Sequence, residues 1–213
     1  PPNITAIGGE AFQSQNYSLT EDLRIPENVE IIGVNAFFID SPIKTTIKNL
    51  TFLGNKVEWI DHGAFSSTYL LSGGMDGHIT EGNLTIPESV KKIGSSAFKA
   101  NRLKTLTFGN TEAEIGHEAF SSSPTLTDIN RLDATTFGNY VFSGSPWVVG
   151  LKNVSFDYNN MNTNFASTSN YTFENGSLRS INIPKQITNI NTNAFNKNLD
   201  WYNNTAGKND TGN

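Results

Sequence analysis

The sequence contains no cysteine among its 213 residues. Disulfide bonds, metal sites built on thiolates and a cysteine nucleophile are therefore excluded. Methionine is also rare, with 2 residues, and only 16% of the chain is charged. A chain without cysteine is compatible with an oxidising environment in which no disulfides are needed, and equally with a reducing one.

Long apolar runs and clusters of basic residues are missing as well. No stretch of about 18 apolar residues occurs, so we expect a protein that is not embedded in a membrane. The 15 basic residues are scattered, the net charge is −5 and the pI is near 5.2. Without a basic patch, neither nucleic acid nor an anionic membrane is an expected partner. The chain opens without a charged and apolar leader, and we expect a piece of a longer protein.

What the sequence does contain is a phenylalanine that returns at intervals of 25, 28, 33, 22, 22, 31 and 22 residues. Six of the eight follow an alanine, within a phrase that reads V-x-x-I-G-x-x-A-F. Self-similarity at this period predicts a solenoid, whose units stack and together bury one continuous core. The recurring residues are Phe12, Phe37, Phe65, Phe98, Phe120, Phe142, Phe173 and Phe195.

A second phrase, L-x-x-L-x-I, precedes the first in each unit. Its alternation is typical of a β-strand, and in several units a proline follows and ends the strand because it cannot donate to the ladder. We predict seven short parallel strands on one face of a right-handed solenoid and turns or short 3₁₀ segments on the other. Glycine is expected to supply the turn, and alanine to let neighbouring coils approach.

Three columns of apolar side chains are predicted to fill the interior, one of them the repeat phenylalanines. The other two are Leu23, Leu50, Leu84, Leu106, Ile129, Val154 and Ile181, and Ile32, Ile60, Ile93, Ile115, Phe137 and Ile190.

The fifth strand breaks the pattern, since Arg131 stands where Phe108 stands in another unit. An unpaired buried guanidinium would be very costly. We therefore predict a bulge that turns Arg131 outward and Leu132 inward.

The repeat predicts a single solenoid domain over residues 1–199 and a C-terminal cap or linker over 200–213. Three segments are longer than the minimal unit, and we expect them to form loops along one edge. They are residues 66–83, 143–150 and 159–171.

The combined phrases, as in Leu84 to Phe98 and Leu178 to Phe195, resemble the BspA-like leucine-rich repeat family over roughly residues 4–199. The resemblance implies a β-rich leucine-rich-repeat solenoid. Members are typically modules of large secreted or surface-anchored microbial proteins, which implies an extracellular, cell-surface or cell-wall location and a role in adhesion. One departure is that the cysteine many family repeats carry shortly after the A-F pair is absent. Asn101, Ser123 and Gly176 occupy that region.

The histidines do not predict a metal site. His62 and His117 take the same position two units apart, so their side chains would lie about 10 Å apart, too far to share an ion. His78 falls in a glycine-rich loop whose Asp76 and Glu81 lack the spacing of a calcium loop. We expect neither a metal nor a cofactor.

Three glutamates, Glu112, Glu114 and Glu118, form an acidic cluster. A glycoside hydrolase needs two carboxyl groups across one cleft, one of them with a raised pKa. Outward-facing turn positions explain the cluster better, because no apolar pocket around a single carboxylate is evident. A surface glycoside hydrolase is therefore the least favoured function, and we expect no enzyme.

Aromatic residues outside the repeat code are the candidates for partner binding. Trp59 lies in a column between Ile31 and Lys92, where it could be an exposed contact or pack over the lysine stem. Residues in the later loops could gather on one side of the rigid scaffold. The full set of candidates is Trp59, Lys92, Tyr140, Trp147, Tyr158 and Tyr171.

The outward strand positions are mostly short and polar, which indicates a solvated ladder more than a binding face. Non-enzymatic recognition of a host protein, an extracellular-matrix component or a glycan by a monomer is the favoured function. A structural spacer that presents other domains from the cell wall is the alternative.

Overall fold

A computed structural model gives the fold of this protein. It describes residues 3–13, 22–39, 47, 49–67, 81–109, 112–132, 134–144, 151–156, 170–176, 178, 180–181, 183, 185, 187–196 and 198. Most of the three long segments lie outside these ranges, and so does the predicted cap or linker, together with Leu199.

Thirteen short β-strands form the regular structure, and no helix occurs among the described residues. The strands are β1 (Ala6–Ile7), β2 (Leu23–Ile25), β3 (Ile31–Ile32), β4 (Leu50–Phe52), β5 (Trp59–Ile60), β6 (Glu81–Ile86), β7 (Lys92–Ile93), β8 (Arg102–Phe108), β9 (Glu114–Ile115), β10 (Asp128–Leu132), β11 (Thr136–Phe137), β12 (Asn153–Phe156) and β13 (Ser180–Ile181).

The L-x-x-L-x-I phrase forms seven parallel strands, as predicted. They pair in two sheets, one of β2 and β4 and the other in the order β13-β12-β10-β8-β6. The register places equivalent residues side by side, for example Leu84 against Leu106 and Ile129 against Val154. The break between β4 and β6 falls where the chain carries its longest addition to the repeat. The predicted parallel β-solenoid is confirmed.

The opposite side differs in one detail from the expected turns with short 3₁₀ segments. Turns are present, but the V-x-x-I phrase forms a separate six-stranded parallel sheet of two-residue strands in the order β1-β3-β5-β7-β9-β11. Each strand pairs in register with the next coil, as Ile32 does with Ile60. Stacked coils present their backbone groups to each other, so this phrase satisfies them through its neighbours and not within a 3₁₀ turn.

The predicted core columns lie inside the solenoid. Ile32, Ile60, Leu84 and Leu106 are each at most 1% exposed, and they belong to one continuous apolar cluster. In the two aliphatic columns Ile190 is the exception, because its side chain is 49% exposed. It belongs to the last described coil, where no further described coil covers it.

The phenylalanine column is a continuous stack of rings. Successive centroids from Phe12 to Phe195 lie 5.1 to 5.6 Å apart, and neighbouring ring planes differ by at most 14°. Parallel rings at this separation match the favourable offset-stacked geometry. Phe12 at one end is 47% exposed because it stacks on one face only, whereas Phe65 and Phe98 are fully buried.

The predicted bulge in the fifth strand is confirmed. The pairing of β10 with β12 shifts between Ile129 and Leu132. Arg131 is exposed at a φ of 54°, and Leu132 is 1% exposed. The Arg131 amide donates to Ser155 Oγ at 3.2 Å, so one extra residue restores the inward position to a leucine.

The repeat glycine does not supply the turn, which corrects that expectation. Gly33, Gly94 and Gly116 do not have a positive φ. A Cβ on any of them would lie 2.5 to 2.6 Å from the backbone of the preceding coil. Glycine is needed there because the coils approach closely, although Asp61 takes the position in the Phe65 coil.

Candidate binding surface

The turns of the solenoid share one unusual backbone feature. In all eight coils the residue two positions before the repeat phenylalanine has a φ of 52° to 61°. We call these residues the turn ladder. They are Glu10, Asn35, Gly63, Ser96, Glu118, Tyr140, Tyr171 and Asn193.

Seven of these eight residues are not glycine, although the left-handed region costs other residues about 1–2 kcal/mol. Backbone hydrogen bonds between coils hold them in place. The Asn35 amide donates to the His62 carbonyl at 2.9 Å, and the Ser96 amide to the His117 carbonyl at 2.8 Å. Stacking therefore determines the turn conformation, and the side chains of the ladder project from a rigid row.

Two predicted candidates meet on this ladder. The rings of Tyr140 and Tyr171 stack with centroids 4.5 Å apart and planes 5° apart, and His117 contacts Tyr140 edge to face at 5.7 Å. Partial burial, together with Tyr171 and Glu174, raises the pKa of the Tyr140 phenol above its ordinary value. The pair is rigid and partly accessible, with each tyrosine covering one face of the other.

A cleft of about 310 Å³ opens on the same side of the molecule, over the coils of Phe37, Phe65, Phe98 and Phe120. Three ladder residues, Asn35, Gly63 and Ser96, line it. His62 and Phe38 contribute an imidazole and an aromatic ring, and further serines complete the wall. The cleft exists because the ladder carries small side chains here.

One ion pair borders the cleft. Lys99 lines it and its Nζ lies 2.6 Å from Glu118 Oε2, with about 30% of each side chain exposed. The lysine charge is thus neutralised at short range by the neighbouring ladder residue. The remaining side chains that line the cleft carry no carboxylate.

Trp59 and Lys92 are neighbours on the outer face of the six-stranded sheet. Ile31, Trp59 and Lys92 occupy consecutive positions of one column. Trp59 is 50% exposed and Ile31 is 38% exposed. We call these three residues the tryptophan patch. The prediction that Trp59 lies between an aliphatic residue and a cation is correct in geometry.

The outward columns of the L-x-x-L-x-I strands are polar, as expected. Asn153 Nδ2 donates to Asp128 Oδ1 at 2.6 Å, and Thr127 Oγ1 donates to Asp128 Oδ2 at the same distance. These two hydrogen bonds, that of Thr127 first, lower the pKa of Asp128 below its ordinary value. Asp128 on this face is therefore already engaged by two donors.

The remaining candidates do not converge. Glu112 and Glu114 are exposed, while Glu118 is paired with Lys99. No group of three potential metal ligands occurs among the described residues. Asp76 and His78 lie outside those residues, and so do Trp147 and Tyr158, which stay predictions.

Sequence reasoning missed the cleft. The sequence did contain a signal, because the residue two positions before the repeat phenylalanine changes in size along the chain. It is Asn35, Gly63 and Ser96 in the coils of the cleft, and it is aromatic at Tyr140 and Tyr171. The row could have been aligned from the repeat, but only the folded turn shows that these side chains lie on one surface.

The family model of the BspA type leucine rich repeat region matches the chain in six copies, over residues 1–81 and 78–201. The chain belongs to this family. Repeats of this type are often found on bacterial surface proteins. No curated protein and no solved structure matches the chain. Within the described part of this BspA-type repeat protein, no helical segment has the length and hydropathy to cross a bilayer.

Proposed function

We propose that this BspA-type chain is a non-enzymatic recognition module of an extracellular, cell-surface or cell-wall protein. It adheres, as a monomer, to a host protein, a matrix component or a glycan. The observation that carries the proposal is the half-exposed indole of Trp59, held in register between Ile31 and Lys92 on a sheet.

Tryptophan is among the residues that most often dominate the binding energy at protein interfaces. Here the backbone beneath it is ordered by ladders on both sides, since β5 pairs with β3 and with β7. This protein therefore loses little backbone entropy when it binds a partner. Weak contacts can accumulate over several coils because the equivalent residues are evenly spaced.

The experiment measures binding to immobilised extracellular-matrix proteins and to a glycan array, for the unaltered chain and for Trp59→Ala. We expect Trp59→Ala to weaken the strongest interaction by about 2 kcal/mol, a factor of about thirty in Kd. Leu53→Ala is the matched control, because Leu53 is 56% exposed but lies outside the tryptophan patch. Equal affinities of all three proteins would refute the role of Trp59.

The spacer is the second candidate, and the polar outer face of the L-x-x-L-x-I strands favours it. Along the outer face Asn49 donates to Asp22 at 2.7 Å and Asn153 donates to Asp128 at 2.6 Å, so these four side chains are already engaged with one another. A spacer would bind no probe on either array. It would also be indifferent to every substitution in the tryptophan patch.

A further inference from the structure

The cleft beside Gly63 has the dimensions of a small-ligand site. Its volume of about 310 Å³ lies at the lower end of the range for pockets that bind small molecules. It is concave because the turn ladder shrinks to Gly63 and Ser96 between the larger Asn35 and Glu118. A Cβ on Gly63 would meet the side-chain oxygen of Asn35, so glycine keeps the floor of the cleft low and leaves the Asn35 side chain in place.

The chemistry of the walls is that of a neutral polar ligand. The Asn35 amide and the His62 imidazole can both donate and accept hydrogen bonds, and serine hydroxyls do the same. Phe38 adds a partly buried aromatic ring. The one cation in the lining, Lys99, is engaged by Glu118 at 2.6 Å, so the cleft has no unpaired lysine to attract an anion.

The walls are also ordered before any ligand arrives. Asn35, Gly63 and Ser96 hold the left-handed turn through hydrogen bonds to the next coil, at 2.9, 3.0 and 2.8 Å. Ala100 and Ser122 repeat this conformation two residues after their phenylalanines. A rigid cleft with several donors and acceptors and one apolar face matches a sugar ring, which presents hydroxyls at its edge and C–H groups on its face.

We propose that this cleft binds a single uncharged sugar residue of a glycan, with Asn35, His62 and Ser96 as hydrogen-bonding groups and Phe38 against the face of the sugar. This inference rests on the proposed recognition function and names one ligand class and a site distinct from the tryptophan patch. Contacts at the two sites would serve the same adhesion.

Sugar binding in the cleft is tested by saturation-transfer NMR and by titration of the protein with free sugars. The sugars are glucose, galactose, mannose, N-acetylglucosamine and N-acetylgalactosamine. We expect at least one of these sugars to bind. Ser96→Tyr should abolish that binding by filling the cleft, and the turn ladder itself accommodates tyrosine at Tyr140 and Tyr171. Asn193→Tyr is the matched control, since Asn193 is an exposed ladder residue outside the cleft and its variant should bind like the unaltered chain.

Phe38→Leu provides a second variant that keeps most of the apolar volume. It should weaken sugar binding at least about tenfold, because the aromatic face is lost. If none of the five sugars binds, or if binding survives Ser96→Tyr in a folded protein, the cleft assignment is wrong. Matrix-protein binding that depends on Trp59, without any sugar binding, would overturn the cleft alone and leave the recognition function in place.

Discussion

Three residues after the repeat phenylalanine, buried polar side chains differ in whether they find partners. Asn101 is fully buried, and its Nδ2 donates to the Phe65 carbonyl of the preceding coil at 2.9 Å. Asn198 does the same to the Phe173 carbonyl at 3.0 Å. Ser123 takes the equivalent position, but its Oγ is buried without a hydrogen-bond partner. The same position of the repeat is therefore bonded to the preceding coil where it holds asparagine and is without a partner at Ser123.

Asn101→Ala should destabilise the protein by about 1–3 kcal/mol, because it leaves the buried Phe65 carbonyl without this donor. Ser123→Ala should leave stability unchanged or raise it slightly, since it removes a hydroxyl that has no partner. Urea denaturation followed by circular dichroism gives the two midpoints. Equal losses in the two variants would contradict this account.

For single residues, the sequence predicted whether a side chain points inward or outward better than it predicted which group that side chain contacts. It placed Arg131 outward and Leu132 inward correctly, because the cost of burying a guanidinium decides that choice locally. It did not assign a partner to Asn101, since the Phe65 carbonyl lies 36 residues earlier in the chain.

Among the elements, the turns between the six-stranded sheet and the phenylalanine stack need glycine only where neighbouring coils approach closely. Gly116 lies over the preceding coil, where an added Cβ would be 2.5 Å from the Ser95 amide nitrogen. Gly8 has the same place in the repeat, yet an added Cβ there would meet nothing within 4 Å. The same repeat position is thus constrained in one coil and open in another.

Gly116→Ala should cost about 1–3 kcal/mol or more, because the backbones of two coils must move apart. Gly8→Ala should cost little, and it is the natural control. Thermal and denaturant unfolding of both variants would measure the difference. A Gly8→Ala variant as unstable as Gly116→Ala would show that glycine serves the turn conformation after all.

The strands of the L-x-x-L-x-I phrase were predictable from the sequence, whereas the six-stranded sheet was not. Alternating apolar and polar residues predict β6, β8 and β12, because one face of each strand is buried. Two-residue strands such as β5 and β7 carry no such periodicity. They exist because parallel stacking aligns their backbone groups with those of neighbouring coils.

Over the whole molecule, the stack of phenylalanine rings connects all eight coils. Phe98 is fully buried between Phe65 and Phe120, with centroid distances of 5.1 and 5.2 Å. Phe12, at the end of the stack, is 47% exposed and contacts a single ring of the column, that of Phe37. The contribution of a repeat phenylalanine to stability should therefore depend on its place along the solenoid axis.

Phe98→Ala should destabilise the protein by about 3–5 kcal/mol, because it removes a buried ring and leaves a cavity in the spine. Phe12→Ala should cost only about 1 kcal/mol, since roughly half of that ring is already in water. The free energies of unfolding, measured by denaturant titration, show whether a phenylalanine inside the stack contributes more to stability than one at its end. Similar losses in the two variants would refute a stack that is supported from both sides only in its interior.

The sequence by itself determined the solenoid, the register of its strands and the family, because repeated apolar spacing can be satisfied only by stacking like units on like. It also determined that Trp59 lies between Ile31 and Lys92, since register follows from the repeat. Only the tertiary structure decided that the turn ladder is left-handed and that residues from four coils enclose a cleft. Those features arise from contacts between coils 22 to 33 residues apart, which no local pattern encodes.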